Sequence, residues 1–135
     1  MRVIIDANVV IAAVAARGLC EALMELCLEH HQIIFCEGLL NEVENKLRDK
    51  LKVPSPIISD YLKFLRDNAK IYVPDQVEAN LCRDPHDLMV LGLVSAGKVA
   101  VIVTGDKDLL SIKEYQGVPI MTPRCFWESN KKDLT

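Results

Sequence analysis

Short aliphatic runs alternate along the chain with longer stretches in which apolar residues recur every three or four positions. The runs at 2–5, 32–36, 71–73, 99–103 and 118–121 predict five strands, the last two being rich in Val and Ile. Between the first two runs, 9–16 and 19–30 carry helical patterning broken at Gly18, with Leu19, Leu23, Leu26 and Cys27 on one stripe. Leu39, Leu40, Val43 and Leu47 mark a third helix. Pro54 and Pro56 mark a break and a new start, and that helix runs on Ile57, Ile58, Tyr61, Leu62 and Leu65 to about residue 68. Asp84-Pro85-His86-Asp87 opens a further helix that ends at Gly97, and 108–113 predicts a short one. Phe126 and Trp127 are expected to pack the tail. Strands separated by helices predict a three-layer α/β fold with a parallel sheet and right-handed crossovers. No repeat or linker divides the pattern, so residues 1–135 are expected to form one domain.

Composition sharpens this. Half of the residues are hydrophobic but only 5% are aromatic, so the core must be Val, Ile, Leu and Ala. A sheet covered on both faces needs such continuous aliphatic strands. No apolar run approaches the roughly 20 residues of a membrane span, and the opening Met1-Arg2-Val3-Ile4-Ile5 meets Asp6 without a signal-peptide pattern. A cytoplasmic protein with no membrane contact is expected. The five cysteines form no Cys-x-x-Cys pair, so they indicate neither zinc nor a disulfide framework. The net charge of −3 argues against nucleic-acid binding by bulk charge. A binder of this composition needs local basic patches, or metal ions that invert the charge of an acidic site.

Open α/β sheets bind ligands beyond the carboxyl ends of their strands, where strand order reverses. Asp6 directly follows the first strand, and Thr104-Gly105-Asp106 directly follows the 99–103 strand. If those strands are neighbours, Asp6 and Asp106 share a crevice. Glu42 lies on the helix after the second strand. Asp87 lies in the first turn of the helix before the fourth, and is expected to reach the crevice only if a bend brings it back. Four carboxylates so placed repel one another. Mg²⁺ or Mn²⁺ removes the conflict, because hard cations take oxygen ligands and can activate water against a phosphodiester. Each acid also has a plainer reading. Asp6, Asp84 and Asp108 suit helix N-caps, Asp87 suits a helix dipole, and Glu42 suits a solvated face. His86 offers no partner spacing and reads as incidental; His30 and His31 suit a helix C-terminus.

Four stretches together resemble the PIN-domain family, and within it the VapC-like toxins: Val3-Ile4-Ile5-Asp6-Ala7-Asn8, Leu39-Leu40-Asn41-Glu42-Val43, Arg83-Asp84-Pro85-His86-Asp87, and Val103-Thr104-Gly105-Asp106-Lys107-Asp108-Leu109-Leu110. The ending Ile120-Met121-Thr122-Pro123-Arg124-Cys125-Phe126 is similar too. The resemblance implies a five-stranded parallel sheet in the order 3-2-1-4-5 with a metal site at its carboxyl edge. It implies Asp6, Glu42, Asp87 and Asp106 as catalytic and metal-binding acids, supported by Asn8, Thr104 and Asp108. It further implies Mg²⁺- or Mn²⁺-dependent hydrolysis of RNA, a homodimer, and restraint by an antitoxin protein. Two positions depart from the family pattern: Cys36 stands where relatives often have Ser, and Leu88 where many have a polar residue.

For contacts to an RNA backbone the candidates are Arg17, Lys46, Arg48, Lys50, Lys52 and Lys107, although 46–52 equally suits a helix C-terminus and a solvated loop. Other phosphotransfer folds fit less well. Asp6-Ala7-Asn8 lacks the second Asp of haloacid-dehalogenase phosphatases, and Val73-Pro74 and Ile120-Met121 lack the Asp and Lys of a receiver domain. The remaining alternative is a degenerate PIN module that binds RNA or a protein without cutting.

Overall fold

A computed structural model describes residues 1–130. In chain order the elements are β1 (Arg2–Ile5), α1 (Ala7–Ala15), α2 (Leu19–His30), β2 (Gln32–Phe35), α3 (Glu37–Asp49), α4 (Ser55–Asp67) and β3 (Ala69–Ile71). A single 3₁₀ turn at Ala79–Leu81 follows, then α5 (Pro85–Ala96), β4 (Val101–Val103), α6 (Lys107–Ile112), β5 (Glu114–Tyr115), β6 (Val118–Met121) and α7 (Pro123–Asn130).

The sheet order is β3-β2-β1-β4-β6-β5. β1 lies between β2 and β4, parallel to both, with Ile4 opposite Ile34 on one side and Ile102 on the other. Its Val3, Ile4 and Ile5 are fully buried, as are Ile34, Phe35, Ile102 and Val103. Helices cover both faces, because right-handed crossovers place α1–α4 over one face and α5 and α6 over the other. That is why the strands read as unbroken aliphatic runs. No helix among the described residues is long and apolar enough to cross a membrane.

Several expected boundaries move. The third strand is 69–71, not 71–73: its register is set by pairing with β2, Phe35 opposite Ile71, and Val73 is left 85% exposed before Pro74. β2 stops at Phe35 because Cys36 is already the N-cap of α3. β4 is shorter than 99–103, since Val99 closes the helix end by donating to the Val94 carbonyl. The tail forms a helix, α7, seated on α2 through Phe126, whose ring meets His31 edge-on.

The sheet is also neither five-stranded nor wholly parallel. β5 adds an antiparallel edge, with Glu114 opposite Pro119 and Tyr115 opposite Val118. Gln116 and Gly117 join the two strands, both with positive φ (51° and 80°), as a tight hairpin turn requires. Without β5, the core order matches the expected 3-2-1-4-5.

Candidate active site

The order of strands reverses between β1 and β4, and the crevice beyond their carboxyl ends is where the acids gather. Asp6 leaves β1 with its own N–H still in the sheet, donating to the Val103 carbonyl at 3.0 Å. It also caps α1: the Ala7 N–H donates to Oδ1 at 2.8 Å. The fully buried Thr104 hydroxyl donates to Oδ2 at 2.7 Å and accepts from the Asp106 N–H at 3.0 Å. One hydroxyl therefore locks the ends of β1 and β4 together. Asp106 in turn caps α6, its Oδ1 accepting from the N–H groups of Asp108 (2.7 Å) and Leu109 (3.3 Å). The cap of this helix is thus Asp106, not Asp108, because the helix starts at Lys107.

Asp84 caps α5, accepting from the His86 N–H at 2.9 Å, with Pro85 in the first turn as expected. The segment after β3 first lies along the far half of α5, where the Asp75 N–H donates to the Gly92 carbonyl at 2.8 Å and the Ser95 hydroxyl donates to Asp75 Oδ2 at 2.6 Å. The chain then turns back to start α5, which brings Asp87 to the crevice. Gly38 of α3 faces Met89 of α5, where a Cβ would overlap the thioether, so the two helices approach closely there. Asp87 is only 4% exposed, and its Oδ2 is buried without a hydrogen-bond partner among the described residues. Burial first, then the Asp106 charge and a shared hydrogen bond with it, and then Asp84 and Asp6, push the Asp87 carboxyl up to about 7. Asp6 is also raised, mainly by burial and further by Glu42 and Asp106, against the lowering bonds from Thr104 and Ala7.

Carboxylate oxygens of Asp87, Asp106 and Asp108 lie within 4.8 Å of one another, spacing that a hard cation with oxygen ligands can bridge. Asp6 and Glu42 stand beside this trio rather than in it. Glu42 is paired with Lys46, whose Nζ lies 3.0 Å from Oε1, and His86 Nδ1 lies 3.0 Å from Oε2. Lys46 also donates to Asn8 Oδ1 in a short bond. Asn8 therefore reaches the site through Lys46 rather than by bonding an acid itself. Arg83 Nη2 donates to both oxygens of Asp108, at 3.1 and 3.2 Å.

A profile of the PIN domain family matches residues 2–108. The chain belongs to the PIN domain family. It is 27% identical to the uncharacterized protein MJ1680 of Methanocaldococcus jannaschii, across the whole of this chain and 95% of that protein. Its fold is similar to that of PAE2754 from Pyrobaculum aerophilum, with a TM-score of 0.62 and 16% identity over 96% of this chain and 94% of the other. It is similar also to VapBC2 from Rickettsia felis, a structure bound to a DNA fragment from their promoter, with a TM-score of 0.62 and 14% identity over 90% and 98%.

Within this PIN domain the basic candidates scatter. Lys46 faces the acids, whereas Arg48 pairs with Glu44 and Asp49, and Lys107, Lys50 and Lys52 are exposed. Arg17 follows the far end of α1, roughly 14 Å along that helix from Asp6. Sequence reasoning overlooked Arg83 and set His86 aside. The signal for His86 was present in its position, because a residue one before Asp87 in the same helical turn shares its end of α5. What was missing was the approach of α3.

Proposed function

We propose that this PIN domain is a metal-dependent endoribonuclease, acting in the cytoplasm over residues 1–135 as one unit and restrained by an antitoxin protein. The observation that carries the reading is Asp87, a buried carboxyl with an unpartnered oxygen, beside Asp106 and Asp108. A native core leaves so costly a group unsatisfied where a ligand completes it. The donors are all hard oxygens with no Cys or His among them, which suits Mg²⁺ or Mn²⁺ and not zinc. Asp87, Asp106 and Asp108 would hold the ion, with Asp6 and Glu42 at its margin. Bound there, the metal supplies charge to the phosphodiester and lowers the pKa of the attacking water.

The chain does the rest. Water adds to phosphorus, one P–O ester bond breaks, and the leaving oxygen takes a proton. Thr104 fixes Asp6 against Asp106, so the acids do not relax apart as charge builds. Lys46 places positive charge at the α3 side of the crevice, with the His86 ring beside it, where the phosphate backbone would lie. An apolar groove of about 370 Å³ among α1, α2, α3 and α4, lined by Val14, Met24, Leu28, Ile57, Tyr61 and Phe64, would take the antitoxin segment. Glu21 and Glu25 at its rim favour a segment with basic flanks.

The alternative, a module that binds without cutting, draws on Glu42, whose Oε1 is paired with Lys46 and whose Oε2 faces His86 in place of a metal. Incubation of the purified protein with a mixed RNA pool separates the two. The nuclease reading expects cleavage with Mn²⁺ or Mg²⁺ that stops in EDTA and is lost in Asp87→Asn. Undiminished cutting in EDTA, or by Asp87→Asn, sinks it.

A further inference from the structure

A second cleft adjoins the carboxylates. It encloses about 410 Å³ and is walled by the 3₁₀ turn at Ala79–Leu81, by Cys82 and Arg83, and by Asp108 and Ser111 of α6. Asp108 belongs to both places: its carboxylate is one of the metal-spaced trio, and its side chain forms a wall of the cleft. Anything bound in the cleft is therefore next to whatever is bound at the acids.

The lining selects a class of ligand. The only cation, Arg83, is already matched by Asp108, so the wall carries no net charge to hold a phosphate. What it offers is a set of directional neutral groups. The Asn80 side chain brings an NH₂ group with two donors and a carbonyl acceptor. The Ser111 hydroxyl spends its proton on the Asp108 carbonyl at 2.7 Å, which leaves its lone pairs to accept. Arg83 uses only Nη2 on Asp108, and the side chain is 89% exposed, so the planar guanidinium has a face for stacking and further N–H groups to donate. Leu81 stands 43% exposed at the same wall, an apolar surface with no cover. Mixed donors and acceptors beside a stacking surface suit a nucleobase, and single-stranded RNA is recognised by stacking and by hydrogen bonds to base edges.

We propose that this cleft binds the base of the nucleotide adjoining the cut phosphodiester, so that Asn80, Arg83 and Ser111 set which bond is cut. The inference rests on the ribonuclease reading for its biological sense, but its test does not require cleavage. The metal-free protein is titrated with the four ribonucleoside 5′-monophosphates and with ribose 5-phosphate, following backbone amides and the Asn80 side-chain amide by NMR. The expected result is that at least one nucleotide shifts residues 79–83 and Ser111 and binds roughly ten times more tightly than ribose 5-phosphate. Asn80→Ala and Ser111→Ala should each weaken it by about 3- to 10-fold, the worth of one hydrogen bond, with the rest of the spectrum unchanged. Ribose 5-phosphate binding as well as every nucleotide, shifts confined to other surfaces, or variants that bind like the wild type would each overturn the proposal. The two readings can fail separately. A protein that cuts RNA but shows no base-dependent shift here is a nuclease without this subsite. One that shows the shift but never cuts keeps the subsite and loses the nuclease.

Discussion

The two sides of the acidic crevice solve the same electrostatic problem in opposite ways. On the α3 side, Glu42 is paired with Lys46 and lies against His86, so its charge is matched by Lys46 from within the chain. On the α5–α6 side, Asp87 and Asp106 stand together with no paired cation among the described residues, and Asp108 pairs there with the exposed Arg83. The first arrangement has a cation of its own in the folded protein, although Glu42 Oε2 stays without a hydrogen-bond partner among the described residues. The second is complete only when something positive arrives, and the carboxyl held up to about 7 is the sign of it. Two clusters of the same residue types can thus differ in kind, and what separates them is where the compensating charge comes from.

The sharpest break of this comparison is at Asp87. Asp87→Asn keeps the shape and removes one charge, and should lower RNA cleavage by ~100-fold or more. Asp84→Asn keeps the α5 cap and should stay within about 3-fold of wild type. If Asp84→Asn were the inactive protein, the two aspartates would have to exchange roles.

Metal should act on the uncompensated side alone. Mn²⁺ at about 100 times its Kd should stabilise the folded protein by ~2.7 kcal/mol, a rise of several degrees in melting temperature, and Asp106→Asn should lose most of it. A full shift in Asp106→Asn would separate that residue from the cation.

The pH dependence follows from the raised pKa of Asp87. Its folded value is about 7 against an ordinary 3.8, so the folded state holds this proton more tightly than the unfolded chain. Its favourable contribution is fully present below about pH 4 and is lost as pH rises to about 7. Asp87→Asn cannot lose it. The difference in melting temperature between variant and metal-free wild type should therefore widen across that window in the variant's favour and then level off. A gap that narrows with pH would show that Asp87 is stabilised as the anion.

The smallest effect lies on the compensated side. Lys46→Met leaves Glu42 without its paired cation and should cost ~1–2 kcal/mol, and adding Glu42→Gln should recover part of that. Neither change should alter the Mn²⁺ shift by more than about a degree. Loss of that shift in Lys46→Met would make the two sides one cluster.

Much of the frame was legible in advance because it depends on local pattern. The runs at 2–5 and 118–121 and the Pro85 start of α5 follow from apolar periodicity and capping chemistry, which neighbours a few residues away decide. What was hidden depends on partners distant in the chain. The third strand slid by two residues because β2 sets its register. β5 escaped notice because Gln116-Gly117 is an uncommon turn pair and a two-residue edge strand has no periodicity to read. The acids at 6 and 106 could be placed by the rule that ligands sit where strand order reverses. Asp108 was mistaken for a cap because the helix begins two residues earlier than its apolar residues suggest. Lys46, Arg83 and His86 gain their meaning only from α3 meeting α5 and from the 79–83 segment meeting α6, contacts that no local signal announces.

The Thr104–Asp6 hydrogen bond joins residues 98 positions apart in the chain. It also sets the order of events during synthesis. β1 is made first but lies in the middle of the sheet, with one side bare until β4 exists, and Asp106 is not fixed until the Leu109 N–H is available to it. Such long-range closure comes late in folding, because chain entropy opposes it until the contacts that reward it are present. A nascent chain short of α6 therefore has no partial version of the crevice. Whatever the acids bind must therefore wait until the segment through α6 has been made.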